Sequence, residues 1–149
     1  MDLPATIKNE IMGLNKELEI LSALNTRRNH SDLDNIEIRA AALSLSALYN
    51  GIEKVLLNIL KESGAYIKNQ MSWHTLLLNE SVNNGIISEH THNELKGFLA
   101  FRHFIRHAYS FEINPIAINS ILDRAEDLVT RFIREVKKFY QDRGSSYSI

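Results

Sequence analysis

Apolar side chains recur every three to four residues between positions 118 and 139, and this repeat leaves little choice of secondary structure. The positions that follow it are Ile118, Ile121, Leu122, Ala125, Leu128, Val129, Phe132, Ile133, Val136 and Phe139. A half-buried strand would alternate at every second residue, so the spacing predicts a long amphipathic helix. The chain has only two prolines and six glycines, and β-branched runs are scarce. We therefore expect an all-α protein.

The other helices are placed by the same period and by residues that favour helix ends. We expect helices over about residues 4–24, 34–63, 72–83, 88–109 and 114–143. Ser72, Ser88 and Asn114 are the predicted N-caps, and Pro4 and Pro115 suit first helical turns. No internal repeat or low-complexity segment interrupts the chain.

Residues 1–149 are therefore predicted to be a single domain, a bundle of four long helices and one short one. The stretch 40–60 is apolar on several sides, which indicates a central helix with many neighbours. Residues 25–32, which include Arg27 and Arg28, are expected to form a solvated loop. Residues 144–149 are expected to be a frayed tail.

Charge and cysteine content limit the possible functions. The net charge is −1, from 17 basic and 18 acidic residues, so nucleic acid would need a local basic patch. The absence of cysteine excludes disulfides, thiolate catalysis and cysteine-type zinc sites. No segment has the pattern of a signal peptide, and no apolar run reaches the ~18 residues of a membrane span. We expect a cytoplasmic protein without membrane association.

The best local patch is the stretch 102–109, which reads RHFIRHAY. The helical period continues into it from upstream apolar residues, so it forms the last turns of the fourth helix. At about 100° per residue, Arg102, Arg106 and Tyr109 share one face. His103 and His107 form a neighbouring stripe one turn apart. This cluster of cations, imidazoles and a phenol is the candidate functional site.

Arg102, His107 and Tyr109 have the spacing Arg-x4-His-x-Tyr. The chain resembles the HEPN superfamily in this motif, in the order of its helices, in a last helix that begins with proline, and in the segment around Trp73. More narrowly, it is similar to the HepT-like toxins of HepT/MntA toxin–antitoxin pairs. The resemblance implies a HEPN-like bundle and a metal-independent RNase without a cofactor, acting as a symmetric homodimer. It also implies a partner, an MntA-like nucleotidyltransferase antitoxin that adenylylates the motif tyrosine.

Carried over by position, the resemblance implies Arg102 and His107 as catalytic residues and Tyr109 as the site of AMPylation. Arg106 and His103 would support them. The substrate would be RNA, either tRNA or mRNA. Many members of the superfamily also have an acidic residue on the second helix that faces the motif, and Glu53 is the candidate.

The residues support such chemistry on their own terms. Metal-free RNA cleavage needs a group that moves the ribose 2′-OH proton and a cation for the phosphate oxygens, and histidine and arginine are suited to these tasks. Arg102 and His107 are five residues apart, about 140° on an ideal helix, so they do not share a face. A symmetric dimer that joins two such helix ends would bring the groups together.

Other interpretations of these residues remain open. Glu53 lies either on a solvent stripe with Lys54 and Lys61, which is the expectation, or inside near a basic partner. His103 and His107 also have the spacing of helical zinc ligands, and Tyr109 also suits a core position.

Three further histidines, His74, His90 and His92, are expected to be exposed. For the whole chain, the alternative to an RNase is a non-catalytic helical partner or substrate-binding subunit of a nucleotidyltransferase.

Overall fold

The computed structural model describes residues 2–65, 67, 71–107 and 113–146, and within these ranges the chain forms five helices and no strand. They are α1 (Ala5–Arg28), α2 (Asn35–Glu62), α3 (Trp73–Asn83), α4 (Glu89–His107) and α5 (Pro115–Ser146). The prediction of an all-α protein is confirmed. None of the described helices is long and apolar enough to cross a lipid bilayer.

Side-chain caps begin three of the helices. Asp34 and Glu37 form a reciprocal capping box at the start of α2. The Ser88 hydroxyl accepts a hydrogen bond from the Thr91 amide at 3.2 Å, and the Asn114 side-chain oxygen accepts one from the Ile116 amide at 2.9 Å. The predictions for Ser88 and Asn114 are confirmed.

Ser72 was wrongly predicted as a capping side chain. Its backbone has a left-handed φ of 55°, and its hydroxyl makes no capping hydrogen bond. The start of α3 is instead marked by a backbone hydrogen bond, in which the Ser72 carbonyl oxygen accepts from the Leu76 amide at 3.1 Å.

Two predicted irregular segments are helical instead. The prediction of a loop from residue 25 is wrong, because α1 continues to Arg28. Arg28 donates to the Asn119 carbonyl of α5 at 3.1 Å and pairs with Asp123, and Arg27 pairs with Glu37 at 3.2 Å. These contacts with other helices stabilise the last turn of α1. At the other end of the chain α5 runs to Ser146, so residues 144–146 are not frayed; residues 147–149 lie outside the described part.

Helix α2 is central, as its composition predicted, and contacts each of the other four helices. Its buried residues are Ile38, Ala41, Ala42, Ser44, Leu45, Leu48, Tyr49, Ile52, Glu53, Val55, Leu56, Ile59 and Leu60. Helix α1 approaches it closely at Gly51, where an added Cβ would lie 2.7 Å from Leu14 Cδ2. A glycine in this helix interior therefore allows the tight contact, despite its unfavourable propensity.

A polar network fixes the start of α4 against α5. Glu135 accepts hydrogen bonds from the Ser88 amide at 2.7 Å and from the buried Thr91 hydroxyl at 2.8 Å. Arg131 donates to the Thr91 oxygen at 3.0 Å and to Glu94 at 2.6 Å. This network and the packed apolar residues hold α4 against α5. They therefore fix the position of the later turns of α4.

Helix α4 buries most of its apolar residues within its own chain. Phe98 and Phe101 are 2% and 8% exposed, and Ile105 packs against the core. Phe104 is the exposed one of this group, at 47%. From the sequence alone, Phe98, Phe101, Phe104 and Ile105 are more large apolar side chains than one bundle face needs, which favours a dimer through α4. The structure reduces that surplus to Phe104.

Candidate functional site

Arg102 reaches back over α2 from the last turns of α4. Its guanidinium carbon lies 5.8 Å from the centroid of the Tyr49 ring, a cation–π contact. Tyr49 is fully buried and Arg102 is half-buried. No ion pair joins Arg102 to a carboxylate within the ranges that the structure describes, so its charge is not neutralised by such a contact there.

Glu53 lies one turn beyond Tyr49 on the same side of α2. It is only 4% exposed, whereas Lys54 and Lys61 are exposed. The expectation of a solvent-facing Glu53 is therefore wrong, and the alternative of an internal carboxylate near a basic partner is confirmed. An ionised carboxylate is costly to bury unless charged or hydrogen-bonding groups surround it, so Glu53 needs such a neighbour.

His74 is the direct partner of Glu53. Its Nδ1 lies 2.5 Å from Glu53 Oε2, and its ring stacks on Trp73 with a centroid distance of 3.7 Å. The side chain is 26% exposed, so the prediction of an exposed His74 is wrong. Because the two residues are 21 positions apart on different helices, no spacing in the sequence indicated the pair.

The Tyr49 hydroxyl completes what we call the buried cluster: Tyr49, Glu53, His74 and Arg102. Burial raises the pKa of the Tyr49 phenol well above its usual value, the Glu53 carboxylate raises it further, and Arg102 lowers it in part. The hydroxyl oxygen is buried and lacks a hydrogen-bond partner of normal geometry among the described residues. Tyr49 is therefore neutral across the physiological pH range.

The rest of the sequence-predicted site is described only in part. His103 is exposed on α4. Arg106 and His107 belong to the last turn of α4, but their side chains lie outside what is described, and Tyr109 lies outside altogether. The structure thus brings together Arg102 and Glu53 of the predicted residues, and adds Tyr49 and His74, which the sequence did not single out.

Two further histidines, His90 and His92, lie near the start of α4. His90 is exposed, as expected, and pairs with Glu94 at 3.1 Å. His92 is half-buried, contrary to the expectation, and its Nε2 lies 2.8 Å from the Asn79 side-chain oxygen. In the described part of the chain no three histidine, cysteine, aspartate or glutamate side chains are grouped closely enough to hold a metal ion.

Fold and cluster together define an all-helical protein whose polar site lies among α2, α3 and α4. The sequence model of the family described as HepT-like protein matches residues 40–143. The matched region includes the whole buried cluster and the stretch 102–109. The chain belongs to the HepT-like family, which confirms the resemblance drawn from the motif. Neither the curated proteins nor the solved structures compared with the chain include a match.

Proposed function

We propose that this chain is the RNase toxin of a toxin–antitoxin pair, with the helices arranged as the HEPN-type bundle of four long members and one short member. The observation that supports it best is the position of Glu53. In a chain of the HepT-like family, the second helix buries a carboxylate in the same cluster as Arg102, the first residue of the Arg-x4-His-x-Tyr signature.

In the proposed reaction, His107 takes the proton of the ribose 2′-hydroxyl. The 2′-oxygen then attacks phosphorus, the bond to the 5′-oxygen breaks, and that oxygen takes up a proton. The products are a 2′,3′-cyclic phosphate and a 5′-hydroxyl. Arg102 grips the phosphate, since a guanidinium offers a planar fork of donors. Its contact with the Tyr49 ring orients the guanidinium itself.

Cleavage should therefore persist in EDTA and leave a 2′,3′-cyclic phosphate on the purified wild-type product. His107→Ala should lower the rate by about 10²–10⁴-fold, the usual effect of losing a general acid or base. Arg102→Lys should also lose most activity, because a point charge does not replace a bidentate donor. The measurement is cleavage of total tRNA and of mRNA, with products resolved by mass.

Either of two results would remove this mechanism: full activity in one of these variants, or strict dependence on a divalent metal. A purified chain that cuts no RNA, yet binds a nucleotidyltransferase, would instead favour the non-catalytic partner.

Regulation by AMPylation is the second part of the proposal. An adenylyl group on Tyr109 would place a phosphate near Arg102 and Arg106, add negative charge where the RNA phosphate binds, and block the site. Tyr109→Phe should keep most of the RNase activity but escape silencing by the cognate nucleotidyltransferase and ATP. Intact mass and residual cleavage after incubation measure both effects. If wild type gains no adenylyl mass, or the variant is silenced equally, the antitoxin acts by another route.

A further inference from the structure

The reaction proposed above transfers two protons, and the signature supplies one histidine with an assigned role. One proton leaves the 2′-hydroxyl for His107. The other must reach the 5′-oxygen as its bond to phosphorus breaks, since an alkoxide is a poor leaving group. A second proton donor beside Arg102 would therefore complete the set of groups that the reaction needs.

We infer that His74 is this second catalytic residue, the general acid that protonates the leaving 5′-oxygen; the inference rests on the proposed RNase function. The buried carboxylate of Glu53 engages Nδ1 at 2.5 Å, so Nε2 is the ring nitrogen left to exchange a proton. Glu53 is thus a positioning residue. It also supplies a counter-charge for the cationic ring that carries the proton.

The surroundings of His74 suit this task. Stacking on Trp73 at 3.7 Å holds the ring plane, and a packed, hydrogen-bonded support of this kind is what a catalytic group needs. The 26% of the side chain that is exposed leaves a path for substrate. Through Glu53 and Tyr49, His74 belongs to the same cluster as the phosphate-binding Arg102.

Two other described histidines, His90 and His92, are less suitable. His90 lies twelve residues before Arg102 on the same helix, about 18 Å along its axis, and pairs with Glu94. His92 contacts Asn79 on α3. His90 therefore provides a matched control, a histidine that also pairs with a glutamate but far from the cluster.

The test compares two leaving groups. After the wild-type cleavage position is mapped, two oligonucleotides are made, one natural and one with sulfur in place of the bridging 5′-oxygen at that position. A thiolate is stable near neutral pH and leaves without a proton donor. His74→Gln should cleave the natural substrate about 10²–10⁴-fold more slowly than wild type but the sulfur substrate less than about tenfold more slowly. His90→Gln should match wild type on both.

The ratio of the cleavage rates on the two substrates, measured with one preparation, does not depend on the fraction of folded protein. His74→Asn provides a second variant for the same comparison. Equal losses on both substrates, or no loss on either, would overturn the role of His74 while leaving the RNase proposal intact. His107→Ala should be slow on both substrates, because a base is needed in each case. If wild type cuts neither, the RNase proposal fails and this inference fails with it.

Discussion

At the scale of single residues, the two tyrosines buried in the described part of the chain differ in one respect. Tyr49 is 0% exposed and Tyr140 is 3% exposed. The Tyr140 hydroxyl donates to both carboxylate oxygens of Glu62, at 3.1 and 3.3 Å, whereas that of Tyr49 has no such partner among the described residues. A buried polar group without a hydrogen bond costs free energy, so substitution by phenylalanine should destabilise the chain at Tyr140 but not at Tyr49.

We predict that Tyr49→Phe leaves the free energy of unfolding unchanged or raises it by about 1 kcal/mol, because an unpaired hydroxyl is removed. The matched control, Tyr140→Phe, should lower it by about 1 kcal/mol, because a hydrogen bond to a carboxylate is lost. Urea unfolding of both variants measures the difference. A clear loss of stability in Tyr49→Phe would mean that its hydroxyl is paired in solution.

The same tyrosines predict sensitivity to alkaline pH. Burial, with the neighbouring glutamate in each case, raises the pKa of both Tyr49 and Tyr140 above the usual value. In the unfolded chain they ionise near pH 10, while the folded chain retains the protons. Stability is therefore unaffected below about pH 10 and falls above it, by about 1.4 kcal/mol per pH unit for each tyrosine. The fall between pH 8 and 11 should be smaller in Tyr49→Phe than in wild type.

At the scale of elements, α4 depends on buried polar contacts as well as on its apolar residues. Thr91 is fully buried and lies between two charged residues of α5: it donates to Glu135 and accepts from Arg131. A valine of the same shape would leave both without this partner. The network therefore specifies how α4 meets α5, and so where Arg102 lies at the other end of the helix.

Thr91→Val should accordingly lower the free energy of unfolding by about 1–3 kcal/mol, the cost of leaving buried polar groups unsatisfied. Thr130→Val, the same change at an exposed position of α5, should alter it by less than about 0.5 kcal/mol. Thermal and urea unfolding of the two variants provide the comparison. Equal effects would show that the network adds nothing to stability beyond helix propensity.

At the scale of the whole molecule, the homodimer expected from the sequence would have a smaller exposed apolar surface on α4 than the sequence indicated. Phe98 and Phe101 belong to the core of their own chain, while Phe104 is 47% exposed two residues beyond Arg102. An exposed aromatic in the last turns of α4, the helix that carries the motif, is where a two-fold contact would place both copies of the motif in one groove. Among the exposed apolar residues, Met12 of α1, at 59%, has no such relation to the site.

Wild-type protein at micromolar concentration should therefore be a dimer by light scattering. Phe104→Glu should shift it towards monomer by burying an unpaired charge at the contact, and RNase activity should fall with it. Met12→Glu, a control at another exposed apolar position, should leave the dimer unchanged. A monomeric wild type would show that the site lies within one protomer. A dimer that Phe104→Glu does not disturb would show that the interface lies elsewhere.

The sequence by itself determined the features that depend on neighbours a few residues apart. A period of three to four residues is a local property of the chain, so it predicted the helices, including the buried face of α5. The caps at Ser88 and Asn114 are likewise contacts within three residues. The signature Arg-x4-His-x-Tyr identified the family because it too is a local spacing.

Only the tertiary structure decided what depends on distant neighbours. Helix α1 extends to Arg28 because that side chain meets Asn119 and Asp123, more than ninety residues away. The burial of Glu53 could not be predicted from the sequence either, since a carboxylate is stable inside only where the fold surrounds it with polar or charged partners. The direct partner, His74, comes from another helix, and its approach is fixed by the packing of the core.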